Sequence, residues 1–221
     1  MEIGTKKKAK WREHSESLVG AILIALLIRS FGIEAFKIPS GSMIPTLQIG
    51  DHIFVNKFVY GLRIPFTKKR FTHFRLPERG EAIVFMYPMD EGKDFIKRVV
   101  GLPGDRIDLA GDEIRINGQG VIRKELPQPA GGEGDQLFLE TLGQTEHLIQ
   151  VDSYPSPESR QIMVPEGHLF VMGDNRDNSS DSREWGFVPL ENVKGRAMFV
   201  WLSIDFDRKT LRWDRFGKWI K

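Results

Sequence analysis

Ile38-Pro39-Ser40-Gly41-Ser42-Met43-Ile44-Pro45-Thr46-Leu47 is the stretch from which the rest of the chain is best read. Two prolines fence it. Each fixes φ and removes a main-chain donor, so the segment is neither helix nor central strand. Gly41 permits a tight turn and close approach of another group. Ser40 and Ser42 are small hydroxyl residues held on that rigid backbone, as a nucleophile must be. The plain alternative for Ser-Gly-Ser is a flexible linker. What lies on either side has to decide between the two.

Upstream, residues 1–17 carry Lys6, Lys7, Lys8, Lys10 and Arg12. An uncharged run then extends from Leu18 to Ile28, and Phe31-Gly32-Ile33 resumes it after Arg29 and Ser30. Ser17 to Ala35 is 19 residues. At about 1.5 Å per residue that is about 28 Å of helix, the short end of a bilayer span. Arg29, near the far end, is placed to snorkel toward headgroups. The basic flank is N-terminal, so the positive-inside rule puts the N-terminus in the cytoplasm and everything after about residue 36 outside. Two readings compete with an anchor. A cleaved signal peptide would end in a small-x-small exit, which Ser30-Phe31-Gly32 matches poorly beside Arg29 and the long basic leader. A buried core helix is the other. The expectation taken forward is a cytoplasmic leader, 1–17, and a transmembrane helix, 18–35.

Downstream the texture is that of strands and turns. Gly50–Phe58 is rich in β-branched and aromatic residues. Residues 61–79 form a basic, proline-containing loop, either solvated or in contact with anionic headgroups. Apolar strands follow at 81–87 and 94–100. Asn117-Gly118-Gln119-Gly120, between Glu113–Ile116 and Val121–Arg123, signals a hairpin. Short strands are expected at 136–140, 146–151 and 160–164, then at 167–172, 185–189 and 195–201. The fold class is therefore mainly β. The main domain is assigned to 36–105 and 165–221, with a smaller β insertion at 106–164. The tail, 205–221, mixes basic residues with tryptophans, and either rests on a membrane surface or is merely exposed.

Composition removes several function classes. The 221 residues carry 32 basic and 30 acidic side chains, so nucleic-acid binding has no bulk support. There is no cysteine, which excludes disulfides, thiolate catalysis and thiolate metal sites. The loop 173–183 is rich in Asp and Asn, as calcium loops are. Counting from Asp174, however, Arg176 is third, Ser179 sixth and Trp185 twelfth, and the ligand pattern fails. An Asx-turn loop is the alternative. No metal or nucleotide motif is present, and no cofactor is expected.

Four separated pieces then stand in order: Ser40-Gly41-Ser42-Met43 after the apolar segment, the apolar strand 81–87, Phe95-Ile96-Lys97-Arg98-Val99-Val100-Gly101-Leu102-Pro103-Gly104-Asp105, and Gly173-Asp-Asn-Arg-Asp-Asn-Ser-Ser-Asp-Ser-Arg-Glu-Trp-Gly186. Together they resemble type I signal peptidase, the membrane-bound serine protease that removes signal peptides from exported proteins, most of all its bacterial leader-peptidase form. The resemblance runs from about residue 18 to the C-terminus. It implies Ser42 as nucleophile and Lys97 as general base. It implies an oxyanion hole from the Ser40 hydroxyl and the Ser42 N–H, a Ser179 hydroxyl that holds the lysine amine, and a supporting Asp181–Arg183 salt bridge. It further implies a mostly antiparallel β catalytic fold and cleavage of signal-peptide-bearing preproteins after small-x-small motifs of the Ala-x-Ala type. The implied setting is the cell membrane, in contact with lipid, as a single-pass protein; a monomer is expected. The enterobacterial form has two transmembrane segments before the serine, where this chain has room for one. That form also carries a disulfide in its insertion, which is impossible here.

The physical chemistry fits these roles. None of the five histidines lies beside a serine in a recognisable catalytic motif. The Ser-x-x-Lys pattern of penicillin-binding proteins fails because Pro45 stands three residues after Ser42. A lysine acts as a base only when neutral, which requires desolvation to lower its pKa from about 10.4. If Phe95, Lys97 and Val99 share one strand face, Lys97 has apolar neighbours and Arg98 points the other way. Ile38, Met43, Phe85, Phe95 and Ile96 are the expected walls of a shallow substrate pocket.

Overall fold

The structure, a computed structural model, describes residues 14–22, 32–64, 67–111, 113–127, 136–152 and 159–221. Strand patterning follows burial. In β1 (Ile33–Lys37) and β2 (Asp51–Asn56) exposure alternates with every residue, while the first four residues of β3 (Ala82–Tyr87) are all buried. β4 (Asp90–Gly101) starts exposed and ends buried. The next strands are β5 (Arg106–Ala110), β6 (Glu113–Ile116), β7 (Gln119–Gly120), β8 (Ile122–Glu125), β9 (Gln136–Leu142), β10 (Thr145–Val151) and β11 (Ser159–Met163). β12 (His168–Met172), β13 (Val188–Pro189), β14 (Val193–Asp205) and β15 (Thr210–Leu211) complete the set.

The main sheet has eight strands in the order β1-β2-β14-β3-β4-β12-β13, with β15 added to β14. Its ladders are antiparallel throughout. One cross-strand row runs Ile33, Asn56, Arg196, Ile83, Lys97. Lys97 therefore lies level with the residue at which β1 begins. Residues 106–164 build two smaller antiparallel sheets, β11-β5-β6-β7 and β10-β9-β8. They are not a detached appendage. Ile107, Ile114, Leu142 and Val164 share a buried cluster with Val100, Phe170 and Met172 of the main sheet. Each such side chain stabilises the join by about 1.5–3 kcal/mol.

Three readings of the sequence change. The helix expected over 18–35 does not reach its far end, because Ile33, Glu34 and Ala35 pair with Asn56, Val55 and Phe54 in β1. The ladder satisfies the main chain there, and Glu34 meets Lys57 at 3.3 Å. Residues 14–22 are helical, and 23–31 lie outside the described residues. No helix among the described residues is long and apolar enough to cross a membrane. The expected 113–123 hairpin turns sooner: Asn117 (φ 53°) and Gly118 (φ 82°) make a two-residue turn and β7 returns at once. Ile122–Glu125 leaves to pair with β9 instead. Finally, the strand expected over 185–189 is a one-turn helix, Ser182–Trp185, followed by the short β13. Asp181 caps that turn, its carboxylate accepting from the Arg183 N–H.

Candidate active site

The proline-fenced stretch leaves β1 as a series of turns and crosses beneath the sheet, burying Met43 and Leu47 completely. With Ile38 buried upstream as well, Ser42 is pinned from both sides in sequence. β4 brings Lys97 to it: the Lys97 Nζ lies 2.5 Å from Ser42 Oγ and donates to it. Ser40 Oγ is 3.5 Å from Ser42 Oγ. No histidine partners Ser42 Oγ among the described residues; its side-chain neighbours are Lys97 and Ser40. The Ser42 N–H makes no hydrogen bond among the described residues.

Lys97 is 4 % exposed. Burial pushes its amine down from 10.5 to about 8; Asp181 and Asp174 pull the other way by favouring the charged form. The apolar surroundings are those expected from strand alternation. Nζ lies 5.7 Å from the Phe95 ring centre, and Val99 is buried alongside. Arg98, on the opposite face, is also wholly buried. It grips Asp174 with two bonds of 2.7 and 2.6 Å and donates to the carbonyl of Gly80 at 2.6 Å. Burial alone would raise the Asp174 pKa, but the Arg98 guanidinium holds it below the usual value.

The 173–183 loop holds the Ser42 turn in place. Asn175 donates its N–H to the Ser42 carbonyl at 3.1 Å and its side-chain amide to the Gly41 carbonyl at 3.2 Å. Gly173 is the closest approach. A Cβ there would lie 2.2 Å from Ser179 Oγ and 2.4 Å from the Ser42 carbonyl oxygen, so only glycine fits. Asp181 accepts from the Gly173 N–H at 2.9 Å and is bound twice by the Arg183 guanidinium, each bond 2.8 Å. Arg176 ties the loop to β9 by donating to Glu140 at 2.8 Å.

The structure thus brings Ser40, Ser42, Lys97, Ser179, Asp181 and Arg183 into one region. The hydrogen bond expected from Ser179 to the amine is not formed; its Oγ is buried without a partner. Of the expected pocket walls, Met43 and Phe85 have no exposed surface and Ile38 has 3 %. They belong to the core, because Met43 and Ile38 pack with Leu47, Ile53 and Val55, and Phe85 with Ile83 and Val171. Only Phe95 and Ile96 keep surface beside the site. Sequence reasoning missed Gly173, Asp174, Asn175 and Arg98. For Arg98 a signal existed: its apolar run, Val99-Val100 after Phe95-Ile96, is that of a strand buried on both faces, which leaves Arg98 no solvent side.

Comparison with known proteins gives the family. The family model described as Signal peptidase, peptidase S26, matches residues 11–202. Signal peptidase I of Pseudomonas fluorescens is 45% identical over 205 residues, covering 86% of this chain and 72% of that protein. Signal peptidase I of Pseudomonas aeruginosa is 43% identical with the same coverage, and that of Rickettsia felis 41% identical over 222 residues, covering 90% and 82%. A solved signal peptidase I from Enterococcus faecalis V583 aligns with 28% identity and a TM-score of 0.35 over 56% of this chain and 97% of that one. The chain belongs to the signal peptidase family, peptidase S26, as a serine peptidase of the signal peptidase I type.

Proposed function

We propose that this chain is a membrane-anchored endopeptidase that removes signal peptides from exported preproteins by means of a Ser42–Lys97 dyad. The observation that carries the reading is the 2.5 Å contact between Lys97 Nζ and Ser42 Oγ, with Lys97 buried and its pKa lowered to about 8. Neutral Lys97 takes the Ser42 proton as Oγ attacks the scissile carbonyl. The oxyanion is met by the unengaged Ser42 N–H and by the Ser40 hydroxyl. Lys97 returns the proton to the leaving amine, then activates the water that releases the acyl group. Once Ser42 is acylated its Oγ no longer attracts the amine, and the unpartnered Ser179 hydroxyl is there to hold it. Asp181 and Arg183 support the loop through Gly173.

Cleavage after small-x-small motifs rests on the family resemblance; Phe95 and Ile96 offer the apolar surface a small side chain would meet. The catalytic domain comprises 36–105 and 165–221, with 106–164 inserted. The apolar segment that begins at residue 18 is the anchor, its lysine-rich leader keeps the N-terminus in the cytoplasm, and the catalytic domain lies outside. Exposed Phe206, Trp213, Phe216 and Trp219 support a domain that rests on lipid. The test is incubation of purified protein with a preprotein in detergent, read on a gel. Ser42→Ala and Lys97→Arg should yield no mature product, because a guanidinium does not give up its proton in the working range. More than a trace of product from Ser42→Ala contradicts the reading.

A further inference from the structure

A cleft of about 370 Å³ lies apart from the Ser42–Lys97 pair, between the loop that follows β2 and the segment that opens β14. Its lining carries Lys68, Lys69, Arg70, His73 and Arg75 against one carboxylate, Glu191. Two of these cations already have acidic partners: Lys68 pairs with Glu91, and Arg75 with Glu81 at 2.6 Å and Glu78 at 3.3 Å. Lys69 and Arg70 have no carboxylate within ion-pair distance among the described residues.

Arg70 is the unusual member. Its two terminal nitrogens donate to main-chain carbonyls, Leu190 at 3.2 Å and Val193, which carry no charge. Its Nε is buried with no acceptor at all. Burial lowers the Arg70 pKa, and the nearby Arg63 guanidinium lowers it further. A positive charge is therefore held part-desolvated without a counter-charge, and such a group is costly until an anion joins it. The floor of the cleft is apolar, with Tyr60 and Val193 buried, and Leu76 exposed at its edge. Phe71 and Phe74 stand exposed on the same loop. The wall elements also share a location. Tyr60 follows Asn56, which pairs with Ile33, and Val193 starts the strand that carries Arg196 opposite Asn56. The cleft thus lies at the end of the sheet where β1 begins.

We propose that this cleft binds a phosphate-bearing anion, with Arg70 and Lys69 as its charge partners. A phosphate would supply the counter-charge that Arg70 lacks and bond to the adjacent Lys69 ammonium, and the apolar floor suits an anion with an attached hydrocarbon part. The phosphodiester headgroup of an anionic lipid and free inorganic phosphate offer this same chemistry, and titration separates them. The full chain, in non-ionic detergent, is titrated calorimetrically with dihexanoyl phosphatidylglycerol, dihexanoyl phosphatidylcholine and inorganic phosphate. The parent, Lys69→Gln, Arg70→Gln and a distant exposed control, Arg115→Gln, are compared. Saturable binding of phosphatidylglycerol in the parent, weakened about tenfold in Lys69→Gln and Arg70→Gln and unchanged in Arg115→Gln, supports the site with a lipid headgroup as its ligand. Equal binding of inorganic phosphate with the same dependence supports it with the free ion as ligand. Arg70 also supports main-chain carbonyls, so the Lys69→Gln variant, whose side chain holds nothing in the fold, decides if Arg70→Gln unfolds. Binding of none of the probes, affinity unchanged in Lys69→Gln, or phosphatidylcholine bound as tightly as phosphatidylglycerol overturns the proposal.

Discussion

Replacing Gly173 with alanine places a methyl carbon 2.2 Å from Ser179 Oγ, 2.5 Å from Ser179 Cβ and 2.4 Å from the Ser42 carbonyl oxygen. Ordinary contacts of this kind are about 3.5 Å or longer, so something must move by about 1 Å. The Ser179 hydroxyl can rotate aside, but the Ser42 carbonyl is main chain and carries the Ser42 side chain, the proposed nucleophile, with it. Displacement by about 1 Å costs about a hundredfold in rate even when the chemistry is intact. Overpacking itself costs about 1–3 kcal/mol of stability. Gly173→Ala should therefore lower kcat/KM on a peptide substrate by about a hundredfold and leave the protein folded at 25 °C, as judged by thermal unfolding. The backbone of Gly173 also remains bound to Asp181 through its N–H, so the loop has little freedom to yield. A variant within threefold of the parent would refute the reasoning, since it would mean that the loop does not position Ser42.

Ser40→Ala should lower kcat by about 10²–10³ with a smaller effect on KM, as loss of one oxyanion donor does; an unchanged kcat returns Ser40 to a linker role. Asp181→Asn keeps an oxygen for the Gly173 N–H but removes a charge that favours the ammonium form of Lys97. The Lys97 pKa should then fall below about 8, so the acid limb of kcat/KM moves to lower pH; a limb that moves upward contradicts the electrostatic account of the site.

Much of this could be read before any coordinates, and the parts that could not have identifiable causes. The Ser42–Lys97 contact was expected from the resemblance carried by the four separated motifs, since Ser-Gly-Ser alone reads as well as a linker and Lys97 alone as a surface residue. Strands with unbroken apolar runs, such as Ile83–Phe85 and Leu169–Met172, declared themselves. β1 did not, because Phe31-Gly32-Ile33 resumes the apolar segment after Arg29 and Ser30, and only the pairing with β2 shows that Ile33 belongs to a strand. The pocket walls failed for a related reason. Nearness in sequence to Ser42 and Lys97 says nothing about which face of the backbone a side chain takes, and Met43 and Phe85 take the buried one. The role of Gly173 was hidden because its constraint comes from one residue more than a hundred positions away, Ser42, and one close in sequence, Ser179, which the chain brings to the same point.

The central claim is that buried, neutral Lys97 is the base, and the pH dependence of kcat/KM for peptide cleavage tests it most directly. A lysine base acts only when deprotonated, so on this account activity should rise with pH through the free-enzyme pKa of Lys97 and fall about tenfold per unit below it. With burial holding the amine near about 8, the acid limb should have its midpoint near that pH, in the parent and equally in His147→Gln. The buried His147 has its own pKa lowered, first by burial and then by Arg98, so a base at His147 would give a limb below 6.5. A single limb near 8 that survives His147→Gln and moves down in Asp181→Asn is the predicted result. A limb below 6.5 that disappears with His147 would contradict the dyad.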